Sequence, residues 1–402
     1  MKKQLLPILA IIAFSSIIRL FALDSIPAGL SYNEVNLGLS LSSVFGDWIL
    51  SPFLIRLPFA TIGILSIVVF YLLIKKALFD NKLAIIASLL MSVLPWHVQE
   101  SRTFSLGTII FLLIECAFLL FLSVFKDVSI TKNKIIVAVI FLGLASIFIP
   151  TKNLAIKVND QRLLVSSNSP KILSKIFINK ITENYKQKEK IMFSSFDFGN
   201  YFFVGHPRER VGLEETQKLF IFMLPLLLIG IFKIKDEKNI LLLWTVLSLF
   251  LILLFEWQGS ETLLLSFPLV VLTSCGLISL FGQKDKTYKY ILFLITVFAL
   301  FESTYFYNSY FSGLVNSQYT SRRPIYTLIT SDINKIRESG DTVLVNDRLG
   351  NPKNYFNFYL KKKLSGFEFR TYDYHSEFGE GVIFVDVLPD DPSSKEPLYT
   401  KD

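Results

Sequence analysis

Cysteine is nearly absent: only Cys116 and Cys275 occur in 402 residues. Each lies inside an apolar block, so both read as buried structural thiols and no disulfide framework is implied. There is no zinc-ligand spacing, no Walker loop and no glycine-rich dinucleotide turn, which removes the usual signatures of structural zinc, P-loop nucleotides and dinucleotides. Internal repeats and low-complexity tracts are absent as well. A cleaved signal is not expected either. Met1-Lys2-Lys3 opens an apolar run that reaches about Leu23, contains Arg19 and has no small-residue cleavage site after it, so it reads as a signal anchor.

What is present is apolar and blocked. Hydrophobic residues make up 52% of the chain and mean hydropathy is +0.49. That total only slightly exceeds the roughly 45–50% of soluble domains, so the clustering is the signal. Apolar blocks with few charges alternate with charged punctuation, the pattern of a polytopic membrane protein. The 38 phenylalanines suit lipid-facing and helix-packing surfaces. The net charge of +8 is explained by lysines at cytoplasmic helix ends, and no nucleic acid partner is implied.

A bilayer core needs about 20 apolar helical residues. On that template helices are expected near 5–23, 57–74, 83–98, 104–125, 135–150, 219–233, 240–255, 262–281 and 290–307. With this count Lys2–Lys3, Lys75–Lys76–Lys82, Lys126–Lys132–Lys134, Lys233–Lys235–Lys238 and Lys284–Lys286–Lys289 fall on one side, the cytoplasm. The expected fold class is therefore mainly α: a polytopic membrane helix bundle of about nine spans over residues 1–310. Extracytoplasmic loops lie at 24–56 and 151–218, and a small extracytoplasmic α/β domain at 311–402. The N-terminus is expected in the cytoplasm and the location is the cell membrane. In the tail, an amphipathic helix is expected at 325–338, strands at 342–345 and 382–385, and a short helix near 355–360.

Candidate chemistry sits in the outward loops. Pro27 and Gly29 break the first helix, and Asn33-Glu34 follow just outside the membrane. Glu34 could take a proton from an incoming hydroxyl, or be a solvated loop glutamate. Pro95-Trp96-His97-Val98-Gln99-Glu100-Ser101-Arg102 gathers ionisable groups at a second exit. Arg102 could hold a phosphate by a charge-assisted fork, or anchor the interface in a Glu100–Arg102 surface pair. Arg56 has the same two readings. The segment Phe193–Arg208 is aromatic and could line an acceptor groove or lie on lipid. Glu256, Trp257 and Glu261 read as boundary residues. Arg19, Glu115 and Glu302 are the main charges inside apolar blocks, and of these Glu115 lends most to a transporter reading.

These residues in this order resemble the GT-C superfamily of membrane glycosyltransferases, closest to the bacterial branch related to protein O-mannosyltransferases and lipid A aminoarabinose transferase. Four blocks carry the likeness: Arg19-Leu20 with Leu23–Leu30, Asn33-Glu34 and Gly38; Arg56–Ala60 with Gly63–Leu65 and Tyr71–Leu73; Pro95–Gln99 with Ser101-Arg102; and Leu224–Gly230. The resemblance implies that a sugar passes, with inversion, from a polyprenyl-phosphate carrier to an unknown acceptor on the extracytoplasmic face, as in envelope assembly. Glu34, beside Asn33, is the candidate base. Arg102 and Arg56 would meet the donor phosphate, with His97 and Glu100 secondary. Protein metal ligands are not implied, and a divalent cation is left open. The family carries Asp-Glu where this chain has Asn33-Glu34, and an amide cannot accept the proton. The first loop is short, and a stretch of helices expected after residue 150 is missing. A second reading is therefore a catalytically degenerate relative that binds lipid-linked sugar or partners an active enzyme.

Overall fold

The computed structural model describes residues 2–78, 80–126, 218–233, 238–254, 264–312, 325–337, 342–346, 352–370, 382–386 and 398–401, with scattered positions between 182 and 203. In chain order the elements are α1 (Lys2–Leu20), α2 (Tyr32–Phe45), α3 (Pro52–Leu78), α4 (Asn81–Val93), α5 (Pro95–Ser101), α6 (Leu106–Lys126), α7 (Met223–Lys233), α8 (Lys238–Leu254), α9 (Ser266–Phe281), α10 (Lys286–Phe311), α11 (Ile325–Ile336), β1 (Thr342–Asn346), α12 (Pro352–Tyr359), β2 (Phe367–Arg370), β3 (Val382–Asp386) and β4 (Leu398–Lys401). A helical turn at Gly199–Phe202 stands between α6 and α7. The expected helix at 135–150, most of the loop 151–218, and Glu256, Trp257 and Glu261 lie outside the described residues.

Among the described residues, α3 and α10 are each long and apolar enough to cross a membrane, and the pair α4–α5 is a third candidate. α1, α6, α7, α8 and α9 are apolar too, but their runs are shorter or less complete. Among the described residues the length and apolarity of the helices establish two spans, or three with the bent pair, of the nine expected. α10 shows what its surface is for: only 11% of its most apolar window is buried, and Tyr290, Phe293, Leu294, Leu300, Phe301 and Tyr305 stand exposed. A contiguous apolar surface of that size fits lipid, not water. The protein is a membrane protein.

Two units divide the chain. The first comprises residues 1–19, 61–101 and 105–306. Small residues set its closest contacts. A Cβ on Gly63 would come within 2.3 Å of the Ser101 Cβ, so α3 and α5 meet only because that position is glycine. α4 and α5 bend by 64° at Leu94, which is extended (ψ 131°) because a residue before proline avoids the α region. Glu302 on α10 accepts from the amides of Ile221 (2.6 Å) and Phe222 (3.1 Å). It thereby satisfies donors in the turn that leads into α7.

The second unit comprises residues 20–60, 102–104 and 307–402. Its sheet has the order β2-β1-β3-β4. β1 runs parallel to β2 and β3, and β4 pairs antiparallel to β3. α12 connects β1 to β2, as a parallel pair requires a crossover. The core is shared by segments some 300 residues apart. Leu30, Val35, Leu50 and Ile55 pack with Tyr326, Ile329, Ile333, Val343, Val345, Phe356, Phe358, Ile383 and Val385. Each such side chain, fully buried, contributes roughly 1.5–3 kcal/mol. At Gly38 an added Cβ would lie 2.5 Å from the Phe358 ring, so α2 seats directly on α12. Asn354 Nδ2 donates to Asn36 Oδ1 (3.0 Å) across the same contact, and Tyr326 stacks on Tyr355 at 4.3 Å.

Candidate functional site

The first exit turn, residues 21–29, is held by two arginines. Arg102 donates through Nη2 to the carbonyls of Phe21 (2.8 Å), Ala22 (3.4 Å) and Ile26 (2.9 Å). Arg56 donates through Nη1 to Leu23 (3.2 Å) and Pro27 (3.0 Å), and through Nη2 to Gly29 (2.5 Å). The turn needs such partners because its backbone is irregular: Ala22 (φ 48°) and Gly29 (φ 70°) are both left-handed. Both guanidiniums are fully buried. Arg102 lies 5.1 Å from the Phe311 ring centroid, and burial pulls its pKa below the usual arginine value, with the Tyr310 hydroxyl and nearby Tyr307 opposing and the Arg56 charge adding to the fall.

Glu34 is the acceptor that balances Arg56. Its Oε1 accepts from Arg56 Nε at 3.0 Å and from the amide of Phe104 at 3.3 Å, and neither side chain of the pair is exposed. Its Oε2 accepts from the amide of Ser31 at 2.8 Å, while Ser31 Oγ accepts from the Glu34 amide at 3.3 Å. This reciprocal pairing is a capping box at the start of α2. Asn33, its neighbour, is exposed. The structure thus brings Glu34, Arg56 and the Arg102–Phe104 segment into one constellation.

Against the same turn lies a cavity of about 400 Å³, lined by Asp24, Ser25, Ala28, Gly29, Pro52, Thr327 and Tyr359. Burial raises the Tyr359 phenol above its ordinary pKa. Hydrogen bonds with Thr327 and the Leu30 backbone and the Arg56 charge act against that, while the Glu34 charge adds to it, and the hydroxyl stays protonated at neutral pH.

His97 and Glu100 fall in the first unit. Glu100 accepts a short hydrogen bond from Ser105 Oγ. His97 is part of a chain that sequence reasoning missed. Arg19 donates to Ser15 Oγ (2.9 Å), to the Ser92 carbonyl (3.1 Å) and to His97 Nδ1 (2.7 Å). A guanidinium only donates, so Nδ1 accepts and the neutral ring carries its hydrogen on Nε2, 3.4 Å from Ser66 Oγ. Ser66 in turn donates to Glu115 Oε2 at 2.6 Å. All four groups are buried, and the arginine and the glutamate are joined through a histidine and a serine. The sequence signal was the presence of Arg19 and Glu115 in apolar blocks; their connection needed the packing of α1, α3, α5 and α6. Ser66→Ala should lower stability by about 1–3 kcal/mol, the cost of stranding a buried partner. Thermal unfolding in detergent micelles reads this out, and an unchanged midpoint would mean the link contributes nothing.

In the segment Phe193–Arg208, Tyr201 and Phe202 are buried while Phe193 and Phe203 are exposed. His206, Pro207 and Arg208 lie outside the described residues. No group of three or more His, Cys, Asp or Glu side chains that could hold a metal ion occurs among the described residues.

No family model matches this chain, and no curated protein matches it. Among solved structures it is similar to the oligosaccharyltransferase of Archaeoglobus fulgidus in the apo form, with TM-score 0.41 and 13% identity over 93% of this chain and 61% of that one. It is also similar to the same enzyme tethered by a disulfide to an acceptor peptide containing the NVT sequon, with TM-score 0.36 and 11% identity over 91% and 63%. The chain spans about three fifths of the length of that oligosaccharyltransferase.

Proposed function

We propose that this protein is a GT-C-type membrane glycosyltransferase that moves a sugar from a polyprenyl-phosphate carrier to an acceptor hydroxyl on the extracytoplasmic face. The observation that supports it is the meeting of the first exit turn, Glu34, Arg56 and the Arg102–Phe104 segment in one packed constellation. Residues from three of the four blocks that carry the family resemblance, Leu23–Glu34, Arg56 and Arg102, are separate in sequence and meet here. In this reading the carrier phosphate competes with Glu34 for Arg56. A guanidinium that turns to the phosphate releases the carboxylate, which then takes the acceptor's proton. The acceptor oxygen bonds to the sugar's anomeric carbon as its bond to phosphate oxygen breaks, and the lipid phosphate leaves with the electron pair.

The test is turnover of a radiolabelled polyprenyl-phosphate sugar by wild type and Glu34→Gln in the same micelles. A general base contributes about 10²–10⁴-fold, so the variant should lose at least that lower amount while keeping its unfolding midpoint within a few degrees. Equal turnover in both would remove Glu34 from the chemistry.

A second reading is favoured by one observation: both Glu34 oxygens are engaged, and the exposed neighbour, Asn33, is an amide. On this reading the protein binds lipid-linked sugar without turning it over. Binding of the labelled donor with no transfer or hydrolysis by wild type, and none gained by Asn33→Asp, would select it.

A further inference from the structure

We propose that the cavity against the first exit turn is a carbohydrate-binding site in which Asp24 is the principal hydrogen-bond acceptor. Its walls come from two distant parts of the second unit: the turn itself and Pro52 at the start of α3 on one side, Thr327 of α11 and Tyr359 of α12 on the other. At about 400 Å³ it falls in the range of small-molecule sites, roughly 300–1,000 Å³.

The lining selects the ligand class. It offers one carboxylate, at Asp24, and hydroxyls at Ser25, Thr327 and Tyr359, set beside the apolar surfaces of Ala28 and Pro52. None of the described lining residues is a cation. A phosphate is disfavoured there, since it would face the Asp24 carboxylate, a like charge, while Arg56 below is already engaged with Glu34 and the turn carbonyls. A neutral ligand rich in hydroxyls fits: a carboxylate is an acceptor only and pairs with donated O–H groups, while Ser, Thr and Tyr hydroxyls donate and accept. Tyr359 stays protonated and able to donate because its phenol is largely buried. Asp24 is exposed and, among the described residues, accepts from the neighbouring Ser25 hydroxyl at 3.3 Å, an interaction a ligand hydroxyl can displace. The floor is firm because Arg56 holds the carbonyls of Leu23, Pro27 and Gly29 beneath it. Saccharide binding stands independently of the transfer reading. Assigning the site to the acceptor side rests on that reading, because the carrier phosphate would meet no cation among the described lining residues.

The full chain in detergent micelles would be titrated with the methyl glycosides of glucose, mannose, galactose and N-acetylglucosamine, with saturation-transfer NMR as readout and inorganic phosphate as competitor. At least one glycoside should bind wild type. Asp24→Asn should weaken it about tenfold or more, as expected for loss of a charged hydrogen-bond acceptor. Ala28→Trp, which fills the cavity, should abolish it, and neither change should move the unfolding midpoint. Binding by none of the glycosides, binding unaltered in both variants, or displacement by phosphate would each overturn the site. Turnover of lipid-linked sugar by the same preparations separates the two ideas. Saccharide binding that depends on Asp24 without wild-type turnover defeats the transfer reading alone. Wild-type turnover with acceptor KM unchanged in Asp24→Asn defeats this site alone.

Discussion

Arg56→Met should be among the most damaging single substitutions in the second unit. The side chain volume is roughly kept, but four hydrogen bonds disappear: one to Glu34 and three to the carbonyls of Leu23, Pro27 and Gly29. Glu34 would then be an unexposed carboxylate facing a thioether. Removing one member of a buried ion pair typically costs about 3–5 kcal/mol, mostly because the other charge is stranded. The orphaned turn carbonyls add to that. The double variant Glu34→Gln with Arg56→Met should recover a measurable part of the loss, because no net charge is then left buried. A double-mutant cycle on apparent unfolding midpoints isolates this coupling, and limited proteolysis should show new cleavage within residues 21–29 in the single variant. A midpoint within error of wild type for Arg56→Met would show that the pair carries little of the unit's stability.

Helix placement was readable from the sequence because it is a local property. The run at 57–74 becomes α3, but the helix starts at Pro52 and passes through Pro58. A proline early in a run fits the first helical position, and two prolines competed for it. The run at 83–98 was readable as apolar, and its break at Pro95 is the ordinary consequence of the restriction on Leu94. In the tail, β1, β3, α11 and α12 lie where alternation and periodicity put them. Ser31-Tyr32-Asn33-Glu34 was also readable as a capping box, since serine with glutamate three residues on marks a helix start. The same glutamate just outside an apolar run invites a catalytic reading, and that reading hid the local one.

What the sequence did not disclose is long-range. Nothing in residues 30–55 announces that Val35 and Ile55 share a core with Phe356, Phe358 and Ile383. Burial on one face of a short helix shows that a partner exists, not which one. The arginines are a similar case. Composition places Arg56 and Arg102 at exits and makes them natural phosphate ligands. Only the fold shows that they also hold six carbonyls of the turn between α1 and α2. Arg19, Glu115 and Glu302 looked scattered because each finds partners outside its own helix. An ionisable group inside an apolar helix is by default a functional hypothesis, and these three show that a folded bundle can engage such groups in its own packing.

The contact between α7 and α9 yields the other large expected effect, and here two physical rules give opposite signs. Helix propensity alone says that glycine to alanine in a helix interior stabilises by about 1 kcal/mol. Packing says the reverse for Gly230 and Gly276. A Cβ on Gly230 would lie 1.9 Å from the Leu272 carbonyl oxygen, and one on Gly276 would lie 1.9 Å from that of Leu226. The obstacles are backbone atoms within helices, so no rotamer change relieves them, and the helices would have to separate by more than an ångström. Between apolar helices in lipid the attraction is largely close packing of this kind, and separation gives it up along the whole contact. Overpacking costs about 1–3 kcal/mol where side chains can adjust, and the reciprocal backbone contact puts Gly230→Ala and Gly276→Ala at or above the upper end. Gly282→Ala, at the end of α9, is the internal control: its Cβ would find nothing nearer than 3.6 Å, so its stability should match wild type or exceed it slightly. Unfolding midpoints of the three variants in one detergent decide between the rules. If Gly230→Ala and Gly276→Ala are as stable as Gly282→Ala, the close approach of α7 and α9 is not what holds this part of the membrane unit together.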